Sequence, residues 1–348
     1  MSPTPAPTRP APAPTPPTPA PPTPAPSAPR CSALSLGAGE PLAGSAPRAD
    51  AWIVVEHPDG WGDAALARSG HGVRIVMARW PRSVPAPGAP SAKGRPASRT
   101  AGATRMDDGP APREFRVWVA HCTATPVLRV GSVRHPDEVA DWDLAGIAAG
   151  SHRCWGRPVE GPLLAVCANG RRDRCCGHEG GRLADVLWAG PHRDRVVTCT
   201  HLGGHRFAPT ALLLPWGVLH GRLDPTGAEA LLEGAAAGWT PTETLRGCST
   251  QDPPAQVAEM HVRRVSGYRG LAPLPVQVDL DPPTTAHTDR AAAATAVATR
   301  DGGPDRATAR VALADGSTLT VPLERRPHQH VPSCGRPAET GWRWSVAG

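Results

Sequence analysis

Short apolar runs bounded by glycine, proline or charged residues recur along the chain, the pattern of strands buried in a core. "AWIVVE" (51–56), "VRIVMARW" (73–80) and "REFRVWVAHC" (113–122) read as strands, with "WGDAALARSG" (61–70) between the first two as a short helix. Further on, Leu163 to Cys167 reads as a buried strand, and an amphipathic helix follows from Gly181 to Trp188. Its apolar residues Leu183, Val186 and Leu187 recur at helical spacing. Arg195 to Thr200 is a β-branched strand, and "ALLLPWGVLHGRL" (Ala211 to Leu223) reads as two strands turning at Pro215 to Gly217. Helices are expected over Gly227 to Gly238 and near Gln256 to Val265. "ATARVALADGSTLTVPLE" is a hairpin turning at Asp315-Gly316.

Strands alternating with helices define an α/β chain, and breaks in composition divide it. Residues 1–30 are a Pro/Thr/Ala tract with almost no charge and no apolar core segment, so they read as a disordered tail rather than a signal peptide or a span. An N-terminal α/β domain is expected over 31–155, interrupted near 81–112 by a flexible Pro/Gly/Ala/Ser/Arg insertion. A second domain occupies 156–250, and 251–348 adds a helix and a hairpin. No run approaches the roughly 20 apolar residues of a spanning helix, which points to a cytoplasmic protein with no membrane partner. The net charge of +6 comes mostly from arginines spread along the chain, without the patch that nucleic-acid binding requires.

The chemistry gathers in two loops. "VVTCTHLGGHRFAP" (196–209) places His201 and His205 four apart, but Gly203-Gly204 between them disfavours a helical zinc motif and favours a loop after a strand. Upstream, "LLAVCANGRRDRCCGHEGGRLADVLW" carries Cys167 and Cys176 on either side of a loop with Arg171, Arg172, Asp173 and Arg174, whose positive charge favours thiolate. Two cysteines and two histidines, each pair after a strand, make a metal site of soft and borderline donors. The pattern lacks the short knuckles of a zinc finger and the interleaved spacing of a Rieske centre. Nine scattered cysteines without a secretion signal fit cofactor binding better than a disulfide framework. Cys199, inside a strand, reads as a buried apolar residue.

"CANGRRDRCCGHEGGRL" followed by "HLGGHRFAPTALLLPWGVLHGRL" resembles the sucrase/ferredoxin-like family, and so do "CSALSLGAGEPLAGSAPRADAWIVVEHPDGWGDAAL" and "VPSCGRPAETGWRW". The resemblance implies a thioredoxin-like ferredoxin domain and a 2Fe-2S cluster held by Cys167, Cys176, His201 and His205. Cys175 departs from the pattern by forming a doublet, in which spacing favours Cys176. The implied function is one-electron transfer coupled to protons through the histidines, with redox partner proteins as donor and acceptor, since no nucleotide-binding motif is present. Asp173, Arg174 and Arg206 are candidates for orienting the ligands. No paired carboxylates support a sucrase. The alternatives are a structural zinc site of the same four residues and, behind it, a thiol enzyme using Cys175 or Cys176. "HQHVPSC", with His328, His330 and Cys334, reads as a solvated tail rather than a second metal site.

Overall fold

A computed structural model describes residues 29–57, 61, 69–81, 114–123, 125–281 and 305–348. The expected disordered tail lies outside these but for its last two residues, and the expected insertion near 81–112 but for Pro81. Of the helix expected over 61–70, only Trp61, Ser69 and Gly70 are described, and the last two form a strand instead.

The chain opens on α1 (Cys31–Gly37) and continues through β1 (Ala51–Glu56), β2 (Ser69–Gly70), β3 (Val73–Arg79), β4 (Phe115–His121) and β5 (Val127–Val133). A short helix, α2 (Leu144–Ala148), and β6 (Arg157–Pro158) lead to β7 (Leu163–Cys167), α3 (Gly181–Ala189), β8 (Val196–Cys199), β9 (Ala211–Leu214) and β10 (Val218–His220). Then come α4 (Pro225–Ala236), β11 (Leu245–Cys248) and α5 (Pro253–Ser266), followed by β12 (Val276–Leu280), β13 (Arg306–Ala312), β14 (Thr318–His330) and β15 (Glu339–Val346). The fold is mixed α/β.

All five residues of β7 are buried, which is why its sequence runs apolar without alternation: both faces of the strand are covered. Leu163, Ala165 and Cys167 enter one apolar cluster with Trp52, Val54, Trp118 and Ala120. Leu164 and Val166 point the other way and join Leu183, Leu187, Leu231 and Leu232 of α3 and α4. In α3 the buried stripe is Leu183, Ala184 and Leu187, while Val186 is 47% exposed, so helical spacing alone overstates its apolar face. α4 begins two residues earlier than its apolar pattern suggests. Asp224 accepts a hydrogen bond from the Gly227 amide at 2.7 Å, and Pro225 supplies a helical φ at the first turn.

Eleven strands form one sheet in the order β11-β10-β9-β7-β8-β3-β1-β4-β5-β6, with β2 paired to β3. Within it, β7 and β8 are parallel and joined through α3, and β9 and β10 are antiparallel neighbours on the far side of β7. β3 hydrogen-bonds β8 through Ala78↔Cys199 and Arg79↔Thr198, so the strands of residues 51–133 and those of 163–248 share this sheet. β12 to β15 form a separate antiparallel sheet that buries Val311, Val321 and Leu323 against Val257 and Val262 of α5. Its hairpin turns at Asp315-Gly316, where Gly316 has φ +83°. Among the described residues no helix is long and apolar enough to cross a membrane.

Candidate metal centre

Parallel strands bring their C-terminal ends to one edge, the usual place for a site in an open α/β sheet. Cys167 ends β7 directly opposite Cys199 at the end of β8, and His201 follows two residues later. The loop then turns through Gly203 (φ +85°) and Gly204 (φ +73°), left-handed conformations that exclude a helix between His201 and His205. On the other side, a π-helical turn over Cys176–Gly180 precedes α3, an irregularity common at functional sites. Gly180 allows it to close in, since a Cβ there would collide with the Cys167 carbonyl.

The donor atoms of Cys167, Cys176 and His201 all lie within 4.8 Å of one another. His205 stands beside them, its ring centroid 5.3 Å from that of His201. Its Nε2 hydrogen-bonds the Pro332 carbonyl and is 3.7 Å from Asp173 Oδ2. Thus the sequence-derived residues converge, three within reach of one ion and the fourth adjacent. The Nδ1 atoms of both histidines are buried without a hydrogen-bond partner. Such an atom costs about 1–3 kcal/mol unless something binds it.

Their surroundings separate the two thiols. The Cys176 hydrogen bond, opposed by burial and helped by His201, holds the Cys167 thiol well below its ordinary range, while Cys167 and burial push Cys176 up. Below the loop, the fully buried Arg246 donates to the Gly203 carbonyl at 3.0 Å, to Ser45 Oγ at 3.0 Å and to the Ser45 carbonyl. Burial lowers its pKa to about 9, with Cys167 and Cys176 pulling the other way. Gly204 makes room, because a Cβ there would strike the guanidinium. Sequence reading missed Arg246. Its neighbours, Thr244, Leu245, Gly247 and Cys248, are a mixture of polar and apolar residues that gives no sign of its burial. Of the orienting candidates, Asp173 is buried beside His205, Arg206 pairs with Glu40 at 2.7 Å, and Arg174 is exposed.

Cys175 turns away from Cys176. Its Sγ is 3.4 Å from that of Cys31 and 3.2 Å from that of Cys334. "HQHVPSC" is therefore not a solvated tail: His328 and His330 stack at 4.8 Å on β14, paired to β15, and Cys334 is drawn into contact with Cys31 and Cys175. The second thiol group escaped the sequence because its members are 144, 159 and 303 residues apart. Cys199 is buried, and burial raises its thiol pKa.

The sequence model of the sucrase/ferredoxin-like family matches residues 42–247, a span that includes Cys167, Cys176, His201 and His205 and leaves out Cys31 and Cys334. No curated protein and no solved structure is found to match the chain.

Proposed function

The chain belongs to the sucrase/ferredoxin-like family, and we propose that it is an iron-sulfur redox protein that transfers single electrons through a 2Fe-2S cluster held by Cys167, Cys176, His201 and His205. The observation that carries this reading is the pair of buried, unpartnered imidazole Nδ1 atoms beside two buried thiols. These are the donors such a cluster takes, and imidazole in place of thiolate makes the site less negative and its potential higher. The strand order β10-β9-β7-β8, with a parallel βαβ unit followed by an antiparallel pair and a helix, supports a thioredoxin-like domain around them.

When bound, the cluster supplies a reversible one-electron store. The protein's own groups set its surroundings. His205 holds a proton at Nε2 against the Pro332 carbonyl, which leaves Nδ1 as its metal-binding nitrogen. Arg246 places a buried cation under the loop and ties Gly203, between the two histidines, to Ser45. Electrons come from and go to partner proteins, because the sequence offers no nucleotide-binding motif.

Metal analysis and visible absorption of protein purified without oxygen test the reading. Iron at two atoms per chain and a coloured protein are expected. A colourless, iron-free, zinc-loaded protein would establish the second reading, a structural zinc site, which the closeness of Cys167, Cys176 and His201 favours. Redox titration across pH tests the proton. The potential is expected to fall by about 59 mV per pH unit where one proton accompanies one electron, and a flat potential means electron transfer alone.

A further inference from the structure

Cys31, Cys175, Cys334 and Asp173 form a second group of donors whose atoms all lie within 4.8 Å of one another. They come from the first residue of α1, the loop before the π-helical turn, and the segment between β14 and β15. The three Sγ atoms form a triangle with sides of 3.2, 3.4 and 3.7 Å. Asp173 Oδ1 completes the figure, 3.8 Å from Cys31 Sγ and 3.4 Å from Cys334 Sγ. Zinc–sulfur bonds of about 2.3 Å and a zinc–oxygen bond of about 2.0 Å in a tetrahedron require sulfurs about 3.8 Å apart and a sulfur–oxygen separation of about 3.5 Å. The sulfur triangle is slightly smaller than that figure requires, and the two sulfur–oxygen distances lie on either side of the required one.

We propose that these four residues bind a single zinc ion, at a site separate from the one assigned above. The chemistry points the same way as the geometry. Cys31, Cys175 and Asp173 are buried, and ionising any of the thiols sets a like charge beside the Asp173 carboxylate, a conflict that a divalent cation removes. Backbone amides already serve the sulfurs: Cys31 N–H donates to Cys334 Sγ and Ser32 N–H to Cys175 Sγ, each at 3.5 Å. The carboxylate is oriented as a metal-bound one should be. Cys175 N–H donates to Oδ1 at 2.8 Å, while Ser333 Oγ and Cys334 N–H donate to Oδ2 at 2.6 and 3.0 Å. A disulfide is the competing fate of such thiols, but it would join two sulfurs at about 2.05 Å and strand the third, whereas here all three are nearly equidistant. The ion fastens both ends of the described chain to the loop between Cys167 and Cys176.

The test uses the full chain, incubated with zinc, desalted, and assayed for zinc and iron together. Wild-type protein is expected to retain zinc in addition to iron. Cys334→Ser, at a half-buried loop position, should keep its iron and colour and lose zinc, with affinity against a chromophoric chelator falling by more than the 10- to 100-fold that loss of a mere orienting partner costs. Cys176→Ser should do the reverse, losing iron and keeping zinc. Failure of the cluster assignment alone would therefore leave the zinc result intact. Alkylation of wild-type protein gives an answer independent of folding in the variants: Cys334 should be protected by zinc and labelled once a chelator removes it. Wild-type protein that retains no zinc, zinc lost from Cys176→Ser but held by Cys334→Ser, or a disulfide among Cys31, Cys175 and Cys334 in peptide mapping would each overturn the proposal.

Discussion

Cys175 and Cys176 are adjacent in the chain, yet each belongs to a different constellation. Cys176 faces Cys167 and His201, at the ends of hydrogen-bonded strands and within the span that the family shares. Cys175 faces Cys31 and Cys334, which lie outside that span and reach it only through loops and a helix start. In the first group Cys167 is held by the sheet itself, His201 follows two residues after its neighbouring strand, and Cys176 opens the π-helical turn beside them. The second is held by side chains and by hydrogen bonds to Asp173. Asp173 separates the two. Its Oδ1 lies toward the thiols of the second group, and its Oδ2 is 3.7 Å from His205 of the first.

The largest expected effect breaks the comparison at the doublet. Cys176→Ser should abolish visible absorption in protein purified without oxygen, and Cys175→Ser should leave it in place. Bleaching by Cys175→Ser with an unchanged spectrum for Cys176→Ser would reverse the assignment. Next in size is Arg246→Met, which removes the fixed cation from beneath the first group and leaves the Ser45 and Gly203 carbonyls without their donor. Stability should fall by about 3 kcal/mol in chemical denaturation, the scale of buried groups left unpaired.

A titrating residue outside both groups provides a baseline for acid sensitivity. His220 is fully buried between Thr240 and Thr244, and burial first, then Arg263 and Arg246, lowers its pKa to about 3. Unfolded, it takes a proton near its ordinary pKa of about 6.5, so between those values protons favour the unfolded state and stability drops as pH falls. His220→Gln should remove about 1 kcal/mol per pH unit from that slope, measured by denaturation of metal-free protein from pH 6.5 downward. An unchanged slope would assign the acid sensitivity elsewhere. The smallest effect is expected at Arg174, next to the doublet but exposed. Arg174→Ala should leave the visible spectrum unaltered and shift stability by less than about 0.5 kcal/mol.

What the sequence disclosed follows the same division. α3 was legible because burial of one helical face leaves a period, and β7, β8 and the strand pair after His205 because strands covered on both faces leave short unbroken apolar runs, with both ligand loops at the ends of those elements. Gly203-Gly204 announced a loop in the same way, through conformations that few other residues adopt. Val186 was misplaced on the buried stripe because spacing reports which residues share a face, and the edge of that face depends on what packs there. Cys31, Cys175 and Cys334 could not be joined from sequence, since no local pattern links residues brought together only by tertiary folding. Arg246 was hidden for a related reason: its partners are carbonyls and a hydroxyl in distant segments, and hydrogen bonding of that kind leaves no periodic trace.

The pairing of β3 with β8 makes the N-terminal half an insulator for the first thiol group. Trp52 and Trp118 belong to the same apolar cluster as Cys167 and Cys176, so a fragment cut free at residue 156 would lose that wall along with the partner of its β8 edge. Water would then approach the thiols, the local dielectric would rise, and the charge difference between two thiolates and two imidazoles would count for less. Solvent access is one of the quantities that set the potential of an iron-sulfur centre. If the first group holds the proposed cluster, Trp52 and Trp118, on strands that contribute no ligand, would thus tune its potential.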